Sequence, residues 1–104
     1  MKIGCCVNML PKEPDDPGVS YAKAVKDAGY DYIELPIGQI ACLSEDEFVQ
    51  LRKELDQADI PVYACNNFFP PELKLVGERV DREKIRDYYR RALTRAKALG
   101  SGYV

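Results

Sequence analysis

An apolar, strand-like run returns along this chain at almost constant spacing. Ile33 follows Ile3 by 30 residues, and Val62 follows Ile33 by 29. A helical pattern fills the interval after each run. Strand and helix alternating at that period restrict the chain to right-handed strand–helix–strand crossovers and a parallel sheet. Two α/β architectures are built this way, the (β/α)₈ barrel (TIM barrel) and the doubly wound parallel sheet. No Gly-x-Gly-x-x-Gly follows the first strand, where a dinucleotide-binding doubly wound fold would place it. That favours the barrel. At 104 residues the chain holds at most one domain. Its end, Gly100-Ser101-Gly102-Tyr103-Val104, reads as a helix stop, a turn and the opening of a fourth strand. Residues 1–104 are therefore expected to be the N-terminal three to four strand–helix units of one barrel domain, truncated at the start of strand four.

The three units can be delimited from local signals. Strand one is Lys2–Val7, followed by a Pro- and Asp-rich loop from Asn8 to Gly18. Val19 to Ala28 reads as a helix with Tyr21, Ala24, Val25 and Ala28 on its apolar face and Gly29 as its stop. Strand two is Tyr32–Leu35, after which Pro36-Ile37-Gly38 reads as a turn. Ser44 and Glu47 predict a capping box, and Leu43 with Phe48 a hydrophobic staple, at the start of a helix that runs to about Asp59. Strand three is Pro61–Cys65, with a long loop from Asn66 to Val80. Asp81 then caps a third helix. Ile85, Tyr88, Tyr89, Ala92, Leu93, Ala96 and Leu99 form its apolar face, and Gly100 ends it.

The formal net charge of −2 argues against a nucleic-acid partner, although the charge is unevenly spread. Residues 81–99 carry seven Lys and Arg against three acids, and this stretch reads as the solvated face of one helix. No apolar run approaches the length of a membrane span, and the first residues do not form a signal peptide, so a cytoplasmic location is expected. Cys5, Cys6, Cys42 and Cys65 offer no Cys-x-x-Cys pair, and the chain has no histidine. Reduced thiols are expected, with no zinc site built from this segment alone.

In either architecture ligands meet the C-terminal ends of the strands. Those ends carry Asn8, Glu34, and Cys65 with Asn66, Asn67 and Phe68. Glu34 is an acid inside an apolar strand, where a carboxylate is costly unless paired. It reads as a ligand contact or as a strand-end charge facing a helix cap or a cation. Asn66 and Asn67 suit sugar hydroxyls as donors and acceptors, and also suit an ordinary turn. Cys65 reads as a wall residue or a small buried one. Phe68 and Phe69 read as an apolar wall or lid, or as packing beneath the long loop.

Gly29-Tyr30-Asp31-Tyr32-Ile33-Glu34 resembles the Gly-aromatic-Asp-x-apolar-Glu second strand of xylose-isomerase-like TIM barrels. That superfamily includes sugar isomerases, ketose 3-epimerases, inosose dehydratases and endonuclease IV. Leu35-Pro36-Ile37-Gly38-Gln39, Leu43-Ser44 and a third strand ending in Cys65 are similar to the ketose 3-epimerase branch. The stretch from Asp81 through Arg91 and Ala96 to Val104 is similar to the third helix and fourth strand of the same group. In order and spacing the resemblance spans essentially the whole chain.

The resemblance implies a sugar or sugar-phosphate isomerase or epimerase acting by proton transfer next to a carbonyl. It also implies a divalent metal, Mn²⁺, Mg²⁺ or Co²⁺, held by two Glu, an Asp and a His from later strands. None of those positions falls within residues 1–104, so this segment is expected to bind no metal and to lack catalysis alone. The endonuclease branch carries metal-binding histidines on strands three and four, which disfavours it here. What the resemblance assigns to this segment is a wall for a small carbohydrate: Asn8, Glu34, Cys65, Asn66 and Phe68. Self-association is expected on separate grounds: open sheet edges and a helix-free face expected to be apolar.

Overall fold

A computed structural model describes every residue from Met1 to Val104. In chain order it contains strand β1 (Gly4–Cys6), a 3-10 turn at Val19–Tyr21 leading into helix α1 (Ala22–Asp27), strand β2 (Tyr32–Pro36), helices α2 (Ile37–Cys42) and α3 (Glu45–Ala58), strand β3 (Val62–Asn66) and helix α4 (Arg82–Ala98). No helix is long and apolar enough to cross a membrane.

The sheet order is β1-β2-β3, with both pairs parallel. Tyr103 then forms a parallel bridge to Ala64. Its carbonyl accepts from the Cys65 N–H at 2.8 Å, while Gly102 N–H donates to the Tyr63 carbonyl at 3.1 Å. Each strand thus joins the sheet on the same side as the last. In doubly wound sheets the first strand lies inside and the order reverses around it. Sequential addition is the order of a barrel wall, so the fold is α/β and matches the opening units of a TIM barrel.

Alternation along the strands separates two faces. Ile33 and Leu35 are fully buried, with Val7, Val62 and Cys65 on the same side of the sheet. They join Val25, Phe48, Leu51, Leu55, Tyr88, Ala92 and Ala96 in one core between sheet and helices. The other face carries Gly4, Cys6, Tyr32, Glu34, Ala64 and Asn66. It was expected to be apolar, and it is not: it holds tyrosines at one end and polar groups at the other. Tyr32 and Tyr63 pack at 5.3 Å between ring centroids, and Lys2 Nζ donates to Tyr63 Oη at 3.0 Å. That hydrogen bond raises the Lys2 pKa above its ordinary value. The Tyr32 ring lies against Gly4, where an added methyl would sit 2.1 Å from Tyr32 Cε2. Because Tyr63 blocks the ring from swinging aside, Gly4→Ala is expected to cost about 1–3 kcal/mol in a urea melt.

Helix signals at the sequence level held best where they were chemically specific. Ser44 and Glu47 form the reciprocal capping box of α3, with Glu47 N–H donating to Ser44 Oγ at 3.2 Å and Ser44 N–H to Glu47 Oε2 at 2.8 Å. Asp81 caps α4 by accepting from Lys84 N–H at 3.1 Å. Two readings need correction. In α1, Ala24 and Ala28 are exposed, and the inward row is half-buried Val19 with buried Ala22 and Val25. The element opens as a 3-10 turn, which lines up residues three apart.

The second correction concerns Pro36-Ile37-Gly38, which is not an isolated turn but the entry to α2. Pro36 stands at the N-cap with φ −76°, where its missing N–H costs nothing. Six residues make a marginal helix in isolation. Full burial of Ile37, Ile40 and Ala41 overrides that weakness.

Candidate functional site

At the C-terminal ends of the three strands the structure brings Asn8, Glu34 and Asn66 together. Asn66 Nδ2 donates to Glu34 Oε1 at 2.7 Å, and Asn8 Nδ2 donates to Asn66 Oδ1 at 2.6 Å. The direction of this chain follows from its acid. An ionised carboxylate only accepts, so Asn66 must turn its NH₂ towards Glu34. That leaves Asn66 Oδ1 facing Asn8, which must donate in turn. The last acceptor, Asn8 Oδ1, is buried without a hydrogen-bond partner. Such an atom is costly to leave unpaired and can accept a hydrogen bond from a hydroxyl.

The residues arrive here for local reasons. Glu34 is opposite Cys6 in the β1–β2 register, and Pro36 is opposite Asn66 in β2–β3. Val7 N–H donates to the Glu34 carbonyl at 3.4 Å, which sets Asn8 at the mouth of the sheet. Cys6 shares this face, and Asn66 Nδ2 approaches its Sγ at 3.4 Å.

Two residues expected in the wall lie elsewhere. Cys65 pairs with Leu35 on the helix side of the sheet and is 4% exposed. Alternation sends its thiol away from the face that carries Asn66. Burial pushes that thiol above its ordinary pKa. Phe68 turns outward to α4. Its ring packs edge-on to Tyr88 and near Tyr89, and its carbonyl accepts from Tyr88 Oη. Asn67, at φ 49°, makes the bend that takes the chain away from the sheet. Phe68 thus serves as packing beneath the long loop. Phe69 instead borders a neighbouring cleft of about 660 Å³, together with Asp15, Gln39, Cys42 and Glu72. None of Asn8, Glu34 and Asn66 lines that cleft.

Burial also raises the Tyr88 phenol, to about 12. A phenol whose folded pKa lies above its unfolded value of 10.0 stabilises the fold fully below pH 10. That contribution is lost as pH rises towards 12. Urea melts are expected to show a falling stability over this interval, with a shallower fall in Tyr88→Phe.

Sequence reasoning missed Arg95. It was grouped with the solvated basic face, yet it is 5% exposed. Its Nη1 donates to the carbonyls of Ile40 at 2.5 Å and Leu43 at 2.7 Å, and its Nη2 to Glu45 Oε1 at 3.1 Å. The guanidinium lies over the Phe48 ring, 5.0 Å from its centroid. The available signal was position: Arg95 falls between Ala92 and Ala96 on the buried stripe of α4.

No protein-family model matches the chain, and no curated relative matches it. Among solved structures, it is similar to a crystal structure of D-psicose 3-epimerase determined in the presence of D-fructose, with a TM-score of 0.73 and 21% sequence identity. The match covers 97% of this chain and 35% of that one, so the chain spans about a third of the solved epimerase. The likeness is one of fold: residues 1–104 have the architecture of part of a TIM barrel.

Proposed function

We propose that this chain forms the opening wall of a sugar or sugar-phosphate isomerase or epimerase barrel, and that Asn8, Glu34 and Asn66 contact the hydroxyls of a small carbohydrate. The observation that carries the reading is the directed chain from Glu34 through Asn66 to Asn8, ending on a buried acceptor that lacks a donor. A sugar hydroxyl supplies such a donor, and the carboxylate of Glu34 accepts from another. The fold shared with D-psicose 3-epimerase supports the same class. The reaction proposed for the whole barrel is proton transfer at the carbon next to a carbonyl, through an enediolate.

The divalent metal of such barrels does not fit residues 1–104. No three His, Cys, Asp or Glu side chains converge, and histidine is absent from the sequence. The part left to this segment is orientation of the sugar.

Glu34→Ala tests the reading. Removing a hydrogen bond to a charged group is expected to weaken D-fructose or D-psicose binding about 10- to 100-fold in a calorimetric titration. Unchanged affinity in a folded variant contradicts it.

Self-association is the second proposal, and it now rests on edges rather than on an apolar face. β1 pairs only with β2, and the outer side of β3 holds only the short bridge to Tyr103. Ile3, Tyr103 and Val104 are exposed along those borders. Open parallel edges recruit further strands. Sedimentation equilibrium at micromolar concentration is expected to show a dimer or larger species, and a concentration-independent monomer excludes it.

A further inference from the structure

Helix α4 grips the two segments that follow the strands carrying Glu34 and Asn66. Tyr88, Arg91 and Arg95 follow one another along one side of this helix. Arg95 holds the end of α2 through the Ile40 and Leu43 carbonyls, and Arg91 Nη1 reaches the Ala41 carbonyl at 3.5 Å. These carbonyls lie in the last turn and at the C-cap of a short helix. The Ile40 carbonyl also accepts from Leu43 N–H at 3.3 Å, whereas the Leu43 carbonyl has no backbone donor. Tyr88 holds the segment after β3 through the Phe68 carbonyl.

The two held segments also meet each other. Gly38 N–H, in the first turn of α2, donates to the Asn67 carbonyl at 3.2 Å. The approach is so close that a side chain at Gly38 would sit 2.8 Å from that oxygen. Asn67 follows Asn66 directly, and α2 follows β2 without a linker. A shift of α2 is therefore passed to Asn66 on one side and towards Glu34 on the other.

We infer that Arg95 is a positioning residue for the Glu34–Asn66 hydrogen bond, acting through α2 and the Gly38–Asn67 contact. Its importance for sugar recognition rests on the carbohydrate reading above, but the geometry it imposes exists without a sugar. A planar fork over Phe48 that serves two carbonyls and a carboxylate fixes both the position and the rotation of α2. Lysine, a single-point donor, cannot do the same.

Hydrogen exchange of the Asn66 side-chain amide, followed by NMR in the sugar-free protein, tests this. In Arg95→Met, protection at Asn66 Nδ2 and at Gly38 N–H is expected to fall about tenfold further than that of the β2–β3 ladder amide of Ile33, which reports the loss of global stability. Arg95→Lys, which keeps the charge and stem, is expected to fall between the two and covers the case in which Arg95→Met does not fold. Val25→Ala loosens the remote helix α1 and is expected to leave Asn66 protection unchanged relative to Ile33. Three results overturn the inference: Gly38 loses protection relative to Ile33 while Asn66 keeps it; all three sites fall by the same factor in both Arg95 variants; or Val25→Ala moves Asn66 relative to Ile33 as far as Arg95→Met does. Because no sugar is present, a failure of the carbohydrate reading leaves this readout intact.

Discussion

Replacing Arg95 with methionine is expected to lower the stability of the fold by about 3–5 kcal/mol, read as a shift in the urea midpoint at unchanged slope. Methionine fills much of the same space over Phe48, so packing is not the main loss. The loss comes from the Ile40 and Leu43 carbonyls, each of which accepts from a charged donor. Such hydrogen bonds are worth about 1.5–3 kcal/mol apiece. The Leu43 carbonyl, which has no backbone donor, adds the cost of being left unpaired, while the Ile40 carbonyl keeps Leu43 N–H at 3.3 Å. The pairing with Glu45 contributes little, because that carboxylate's side chain is 86% exposed. An arginine on a solvated face would change stability by about 0.5 kcal/mol or less. The measurement therefore separates the buried capping role from the surface role that composition suggested.

Phe48→Ala is expected to cost a similar amount, about 3–5 kcal/mol, for a different reason. Phe48 is 6% exposed and anchors the first turn of α3 against the core. It is also the surface on which Arg95 lies. Truncation opens a cavity and removes the aromatic face beneath the guanidinium. The two substitutions should therefore not add. A double-mutant cycle is expected to give a coupling of about 0.5–2 kcal/mol between Phe48 and Arg95. A melt of Phe48→Ala that barely shifts would place the register of α3 in error.

The order of strands and helices was legible because each signal is local and physical. Ser44 with Glu47, Asp81, and the positive-φ stops at Gly29 and Gly100 act within one turn of chain. Glu34 and Asn66 could be placed at strand ends for the same reason, since alternation and strand length locate them. Their mutual hydrogen bond depends on the β2–β3 register. That register carries an irregularity between Ile33 and Glu34 which no local pattern announces.

Cys65 shows the other side of this limit. It sits one residue from Asn66, and only the side of the sheet chosen by the helices decides which of the two reaches the open face. Of the two readings of Phe68, packing beneath the long loop is the one the structure shows, and the choice rests on a bend at Asn67 made by an asparagine rather than a glycine, a weaker sequence signal for positive φ. α2 and Arg95 were missed together. Each leans on the other: the arginine is the donor to the Leu43 carbonyl at the end of the short helix, and the buried arginine needs the Ile40 and Leu43 carbonyls as acceptors. Long-range reciprocity of this kind leaves no periodic trace in a sequence.

The central claim is that the polar chain at the strand ends faces a sugar. It is tested most directly by titrating D-fructose into isotope-labelled protein and following the side-chain amides of Asn8 and Asn66 with the carboxyl carbon of Glu34. The account predicts that these three signals shift together with one binding curve, and that Gln39, Cys42 and Phe69 in the neighbouring cleft stay still. Shifts confined to that cleft, or saturating sugar that leaves Asn8, Glu34 and Asn66 unmoved, would contradict it.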